Sequence, residues 1–243
     1  MKRLPVLSDM RAMILAAGLG TRLRPITDIT PKPLVKVAGR ALIDYCFDLL
    51  RRANIRSVVV NKHHLAAQIS DYVETINDLE IAVSDETAAL LETGGGVKKA
   101  LSLLGETPFF VLNSDVIVLD SGESSLRKMH DLWRFEKMDA LLLLHPVETA
   151  VGYAGNGDFH LDADGRLTRR RKGEGAPYLF TGIQLLNPVL FNGTPEGAFS
   201  LNLLYDRALE SGRLFGLVHY GHWIHVGTPE AVIEAGDRIG RLT

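Results

Sequence analysis

Apolar runs of strand length recur along the first half of the chain, and helical stripes separate them. Ala12 to Ala16 reads as a strand, and Leu42, Cys46, Leu49, Leu50 and Ala53 then share one helical face. Ser57 to Asn61 is apolar and β-branched, and Leu65, Ile69, Tyr72 and Val73 mark a second helix. Glu80 to Ser84 forms a third strand. A stripe of Val97, Ala100, Leu101 and Leu104 leads to a fourth, Phe109 to Leu112. This alternation predicts an α/β fold with a parallel sheet covered on both faces, whose ligands sit outside the carboxyl ends of the strands. The second half is less regular. Ala140 to Leu144 and Leu179 to Leu186 read as strands, with a short one near Phe159. Ser200 to Gly212 reads as a helix, and Thr228-Pro-Glu230 opens the last one with a threonine cap and proline in the first turn. No linker divides the chain, so residues 11–243 are expected to form one domain, its second half building the wall of a pocket. Met1 to Met10 is expected to be a loose extension or an alternative start, with no function assigned.

Bulk properties narrow the function. With 243 residues, 46% hydrophobic and 23% charged, the chain is ordinary for a soluble globular protein with a sizeable core. A formal net charge of −2 argues against nucleic acid as a partner. No run is long enough for a signal peptide or a membrane span. One cysteine, Cys46, precludes an internal disulfide and fits a reducing cytoplasm. Its place on an apolar helical face marks it as a core thiol.

The densest chemistry lies in Met13-Ile-Leu-Ala-Ala-Gly-Leu-Gly-Thr-Arg-Leu-Arg-Pro25 and Thr30-Pro-Lys-Pro-Leu34. A strand breaks at Gly18 and Gly20, where no side chain shields the backbone amides, and Arg22, Arg24 and Lys32 follow at once. That order suits a polyphosphate at a sheet edge. The spacing is neither that of the dinucleotide fingerprint nor that of the Walker loop, which weighs against an oxidoreductase. Asp115 closes the fourth strand and is either a turn former or a metal ligand. Leu91-Glu-Thr-Gly-Gly-Gly96 stands just before a helical stripe, where glycines allow a close backbone approach. His63 and His64 follow the second strand without a third residue at metal spacing and read as loop residues. The run Arg169-Arg-Arg-Lys172 reads as a solvated turn.

Leu15-Ala-Ala-Gly-Leu-Gly-Thr-Arg-Leu-Arg-Pro25, with Pro31-Lys-Pro-Leu34 and Val37-Ala-Gly39, resembles the opening of the sugar-1-phosphate nucleotidyltransferases. The resemblance implies a three-layer Rossmann-like fold on a mixed, mostly parallel sheet. It implies transfer of a nucleotidyl group from a nucleoside triphosphate to a sugar 1-phosphate, with pyrophosphate released. Arg22 and Lys32 would be the catalytic cations. Leu15, Ala16, Ala17, Gly18, Gly20, Thr21, Glu92, Thr93 and Gly94 would join Arg22 around the nucleotide, with Glu92 replacing a usual glycine and Glu86 near the base. Asn113, Gly157, Asp158, Thr181 and Gly182 would hold the sugar.

Asp115 would bind Mg2+, or Mn2+ in its place. Trp223-Ile-His-Val-Gly-Thr228 matches a second landmark except at His225, where the family places the aspartate that completes the metal site. His225 either coordinates, leaves completion to water and phosphates, or is a hydrogen-bonded spectator. Imidazole suits softer ions than Mg2+.

Glu92-Thr-Gly-Gly-Gly96, Gly157-Asp-Phe159, Leu179-Phe-Thr-Gly-Ile183 and His222-Trp223 look like the N-acetylmuramate α-1-phosphate uridylyltransferases of peptidoglycan recycling. The chain is expected to stop soon after the catalytic domain, as theirs do, and to be a monomer or small homo-oligomer. The Glu-Lys-Pro triplet of hexose-1-phosphate members is absent, and Arg171-Lys-Gly173 stands near its place. Mannose-1-phosphate guanylyltransferases share nearly all of these motifs. Outside the class, a non-catalytic nucleotide-sugar sensor would also keep the base pocket.

Overall fold

In the computed structural model, which describes residues 3–242, the apolar runs become the centre of a mixed sheet with nine strands among those residues. β1 (Arg11–Leu15) is flanked in parallel by β4 (Ser57–Lys62) and β6 (Phe109–Asn113), and β5 (Glu80–Asp85) lies parallel beyond β4. Most side chains of β1, β4 and β6 meet a helical layer. Ala12 and Ile14 of β1 face one core with Phe110 and Leu112 of β6, while Met13, Phe109 and Val111 face the other. The first core is closed by α1 (Leu42–Ala53), α2 (Ala66–Glu74) and α4 (Ser125–Leu132), and the second by α3 (Glu92–Leu104) and α5 (Asn202–Glu210). Burial on both faces is why these strands carry no alternating polar residue.

The second half joins the same sheet in reverse. β11 (Tyr178–Leu186) runs antiparallel to β6 and to β8 (Ala140–Pro146), which pairs in parallel with β12 (Leu214–Val218). β9 (Phe159–Leu161) and β10 (Leu167–Arg169) extend the other flank. A separate two-stranded sheet pairs β7 (Val116–Leu119) with β13 (His222–His225) and packs under α6 (Pro229–Gly240). A hairpin of β2 (Lys36–Val37) and β3 (Arg40–Ala41) packs in the same small core. β7, β10, β12 and β13 are not among the strands expected from the sequence. The cap on α6 is as expected: Thr228 Oγ1 accepts the Ala231 N–H at 3.3 Å.

Two expectations need correction. The segment read as a loose extension is packed: Leu7 and Met10 are buried in the first core, and His130 Nε2 donates to the Pro5 carbonyl at 2.9 Å. Met1 and Lys2 of that segment lie outside the described residues. The three glycines read as preceding a helix lie inside the first turns of α3, which begins at Glu92. Packing overrides their low helix propensity, because there is no room for larger residues. A Cβ on Gly94 would strike the Phe199 ring, and one on Gly95 the Gly197 carbonyl.

Met10 has no solvent exposure, so Met10→Ala should cost about 2–5 kcal/mol of stability, read from denaturant unfolding. A variant as stable as the wild type would return this segment to a loose extension.

Candidate active site

The carboxyl ends of β1, β4 and β6 open on a cleft of about 240 Å³ lined by Leu15, Ala16, Ala17 and Gly18 of the glycine loop and by Asn113, Ser114 and Asp115 after β6. Lys32, Pro33, Asn61, Glu86, Leu90, Glu92 and Thr93 complete the lining. The sequence placed most of these residues together; Asn61, Pro33, Leu90 and Ser114 it did not single out. Asn61 was visible only as a polar residue ending an apolar strand. It is buried, its Oδ1 accepts the Ala16 N–H at 2.6 Å, and its Nδ2 donates to Glu86 Oε1 at 2.7 Å. The third glycine of α3 follows from that pair, since a Cβ on Gly96 would lie 2.7 Å from Glu86 Oε1.

Glu86 is almost wholly buried, and its Oε2 has no hydrogen-bond partner among the described residues. Burial raises its pKa above the ordinary 4.5, and the Asn61 amide opposes this. Glu92 adopts a left-handed backbone, φ 57°, at the position where the resembling family has glycine. A side chain there is strained, and strain of this kind gathers at binding sites.

Lys32 and Asp115 meet at the other end of the cleft. Lys32 Nζ donates to Asp115 Oδ2 at 3.0 Å, with the side chains 12% and 32% exposed. The backbone of β7 then brings in His225, which pairs with Val116, while the Val226 N–H donates to the Asp115 carbonyl at 3.1 Å. His225 Nδ1 donates to the Gly152 carbonyl at 3.2 Å, which leaves Nε2 its lone pair. Burial lowers the His225 pKa, and the nearby Asp115 only partly opposes it, so the ring is neutral at pH 7. The charges of Lys32 and Arg22 both reach this imidazole. Arg22 itself is exposed on the short turn Thr21–Leu23, which Gly20 enters with φ 62°. Asp115 is a hard oxygen ligand open to the cleft, which fits Mg2+. Among the described residues no group of three or more His, Cys, Asp or Glu could hold a metal alone, so a metal held by Asp115 would need further ligands from outside such a cluster.

Several residues expected in the pocket brace it instead. Gly94 is buried with its N–H donated to the Phe199 carbonyl at 2.8 Å, because the glycines of α3 admit this chain segment. Thr181 has no exposed surface and its hydroxyl donates to the Leu143 carbonyl at 2.8 Å. Asp158 Oδ2 accepts the Phe180 N–H at 2.8 Å, and the Gly157 N–H donates to the Tyr153 hydroxyl at 3.0 Å. Gly182, φ 89°, leaves room for Asn113 on the neighbouring strand. Cys46 is a core thiol, pushed up to about 12 by burial. His63 and His64 bond to the Glu86 and Thr27 carbonyls at 2.7 and 2.8 Å, as loop residues.

Cations and an acid at the carboxyl edge of a parallel sheet, with a cleft between, define a nucleotide-handling enzyme of the α/β class. The chain belongs to the nucleotidyl transferase family, which matches residues 11–169, and it is a sugar-phosphate nucleotidyltransferase. It is 40% identical over 232 residues to the N-acetylmuramate alpha-1-phosphate uridylyltransferase of Caulobacter vibrioides, covering 94% of this chain and 96% of that one. The enzyme of the same name from Neisseria meningitidis serogroup B is 35% identical, over 93% and 96% of the two chains. A probable mannose-1-phosphate guanylyltransferase 2 of Arabidopsis thaliana is 30% identical, but only 63% of its length is covered. A solved UDP-glucose pyrophosphorylase complexed with UDP-glucose shares the fold, with a TM-score of 0.79 at 17% identity over 96% of this chain and 99% of that one.

Because Glu86 has a raised pKa, its contribution to stability is complete below 4.5 and is lost as pH rises through the folded value. Glu86→Gln, which keeps an acceptor for Asn61, should therefore gain stability on the wild type as pH climbs above 4.5, and the gap should close in acid. Unfolding free energies across pH measure this; a gap independent of pH would contradict it.

Proposed function

We propose that the chain transfers the uridylyl group of UTP to N-acetylmuramate α-1-phosphate, giving UDP-N-acetylmuramate and pyrophosphate in cytoplasmic cell-wall recycling. The observation that carries this reading is the similarity to two uridylyltransferases of that name over nearly the whole of both chains. A second reading, GTP with mannose 1-phosphate, has the similarity to a mannose-1-phosphate guanylyltransferase in its favour, and Glu86 does not separate the two bases. The unpartnered Glu86 Oε2 is an acceptor that suits guanine N1–H as well as uracil N3–H.

Both reactants are polyanions, so alignment and charge set the barrier, and no protein nucleophile is needed. Backbone amides of Ala17, Gly18, Gly20 and Thr21 would cradle the triphosphate beside Leu15 and Ala16, whose own N–H is held by Asn61, with Glu86, Glu92 and Thr93 around base and ribose. Asn113 would face the sugar, and Gly157, Asp158, Thr181 and Gly182 would shape the wall behind it. Holding the sugar phosphate oxygen in line with the α-phosphorus supplies about 7–11 kcal/mol. Lys32, paired with Asp115 in the cleft, would bridge the two phosphate-bearing substrates, and Arg22 would neutralise charge moving onto pyrophosphate. Asp115 would hold Mg2+ or Mn2+, with His225 Nε2 available as a further ligand. When bound, the metal neutralises charge on the triphosphate and orients it.

Pyrophosphate release with UTP, GTP, CTP and dTTP crossed against a panel of sugar 1-phosphates tests the assignment. UTP with N-acetylmuramate 1-phosphate should dominate. GTP with mannose 1-phosphate would replace the pathway and keep the mechanism, and triphosphate binding without release would leave a sensor. Lys32→Ala should lower kcat on the order of 100- to 1,000-fold; near-normal turnover would remove Lys32 from the mechanism. His225→Asp should keep or raise Mg2+-dependent turnover, and a severe loss in a folded variant would count against a ligand role at this position.

A further inference from the structure

The basic run Arg169-Arg170-Arg171-Lys172 has no part in the chemistry above. It borders a shallow surface depression lined by Asp158, Arg169, Arg170 and Lys172, three cations to one acid in a chain of net charge −2. The acid is already engaged by the Phe180 N–H, 2.8 Å from Asp158 Oδ2. Arg169 is engaged too: its Nε donates to Asp206 at 2.8 Å and its guanidinium lies 5.3 Å from the Phe159 ring centre. Arg170 and Lys172 are different. The Arg170 side chain makes one long hydrogen bond, Nη1 to the Glu174 carbonyl at 3.3 Å. Among the described residues, neither Arg170 nor Lys172 forms an ion pair with a carboxylate.

This depression is joined to the reaction end of the sheet by a continuous set of contacts. The Arg170 N–H donates to the Asp158 carbonyl at 3.0 Å, and the adjacent Gly157 N–H donates to the Tyr153 hydroxyl, also at 3.0 Å. The Tyr153 ring meets Trp223 edge-on at 6.0 Å, and Trp223 stacks on His225 at 6.1 Å and 11°. His225 pairs with the residue that follows Asp115. The charge of Arg170 also reaches the Tyr153 hydroxyl.

The acceptor proposed above carries two anionic groups, a phosphate on C1 and the carboxylate of its lactyl ether. Neutral sugars such as mannose and N-acetylglucosamine bring only the phosphate. Lys32 and Arg22 answer the phosphates at the cleft. A guanidinium pairs with a carboxylate through two parallel hydrogen bonds, and Arg170, without a carboxylate partner among the described residues, is free to do so. We propose that Arg170, with Lys172 beside it, receives the carboxylate of the acceptor sugar and so selects an acidic sugar 1-phosphate over a neutral one. This assignment rests on the acceptor reading given above.

The test compares N-acetylmuramate 1-phosphate with N-acetylglucosamine 1-phosphate, which has the same ring without the lactyl carboxylate, both with UTP and Mg2+. Arg170→Ala should raise the KM for the acidic acceptor about 2- to 5-fold with kcat little changed. The kcat/KM ratio of acidic to neutral acceptor should fall by a similar factor, and Arg170→Lys should recover part of it. Equal loss with both acceptors, or loss with neither, overturns the assignment while leaving uridylyl transfer to the acidic sugar standing. A wild type that turns over the neutral acceptor and not the acidic one overturns the acceptor reading itself. Arg170 is exposed, so thermal unfolding should confirm that each variant keeps its fold.

Discussion

The Asn61 carboxamide spans two strand ends and a helix. Its oxygen holds the Ala16 N–H at the start of the glycine loop, and its nitrogen holds Glu86 after β5. Glu86 and Asn61 together require glycine at position 96, so α3 can lie against them only because Gly96 has no side chain. Loss of such a buried partner leaves a donor and a carboxylate unsatisfied, at about 1–3 kcal/mol each. The loop, the buried carboxylate and the helix that floors the cleft are therefore placed by one amide. That rigidity is what a reaction governed by alignment demands.

Charge in the cleft is arranged by the same economy of parts. Lys32 and Asp115 pair at 3.0 Å, so the cation and the anion offset each other's desolvation. Their half-burial leaves both within reach of incoming phosphates. Glu86 differs, with one oxygen satisfied and one unpartnered in a wall otherwise rich in apolar groups. A buried acceptor without a partner is costly unless a ligand supplies the donor, which is the physical basis for assigning it to the base.

The second half of the sheet depends on β11 running antiparallel to β6 and β8. Its pairing with β8 shifts register between Phe180 and Gln184, and Gly182 there takes a left-handed backbone beside Asn113. The Trp223 indole donates to the Thr181 carbonyl at 3.0 Å, tying β13 to this irregularity. β13 and β11 thus share one anchor, to which Thr181 contributes its carbonyl.

What the sequence by itself determined is local or densely encoded. The two-faced burial of β1, β4 and β6 is written as uninterrupted apolar runs. The glycine loop with its cations, and Asp115 at a strand end, could be read from order alone. What it left undecided depends on residues far apart in the chain. Asn61 meets Ala16 across 45 positions and Lys32 meets Asp115 across 83, and no local window contains either pair. The same holds for the glycines of α3: helix propensity argues against them, and only contact with Phe199, Gly197 and Glu86 makes them necessary. Glu92 in a left-handed conformation, Thr181 turned into the core and Met10 buried beneath a segment read as loose have the same origin. Tertiary structure decided these because side-chain partners and close approaches are set by packing between elements, and sequence periodicity reports only which face of an element is buried.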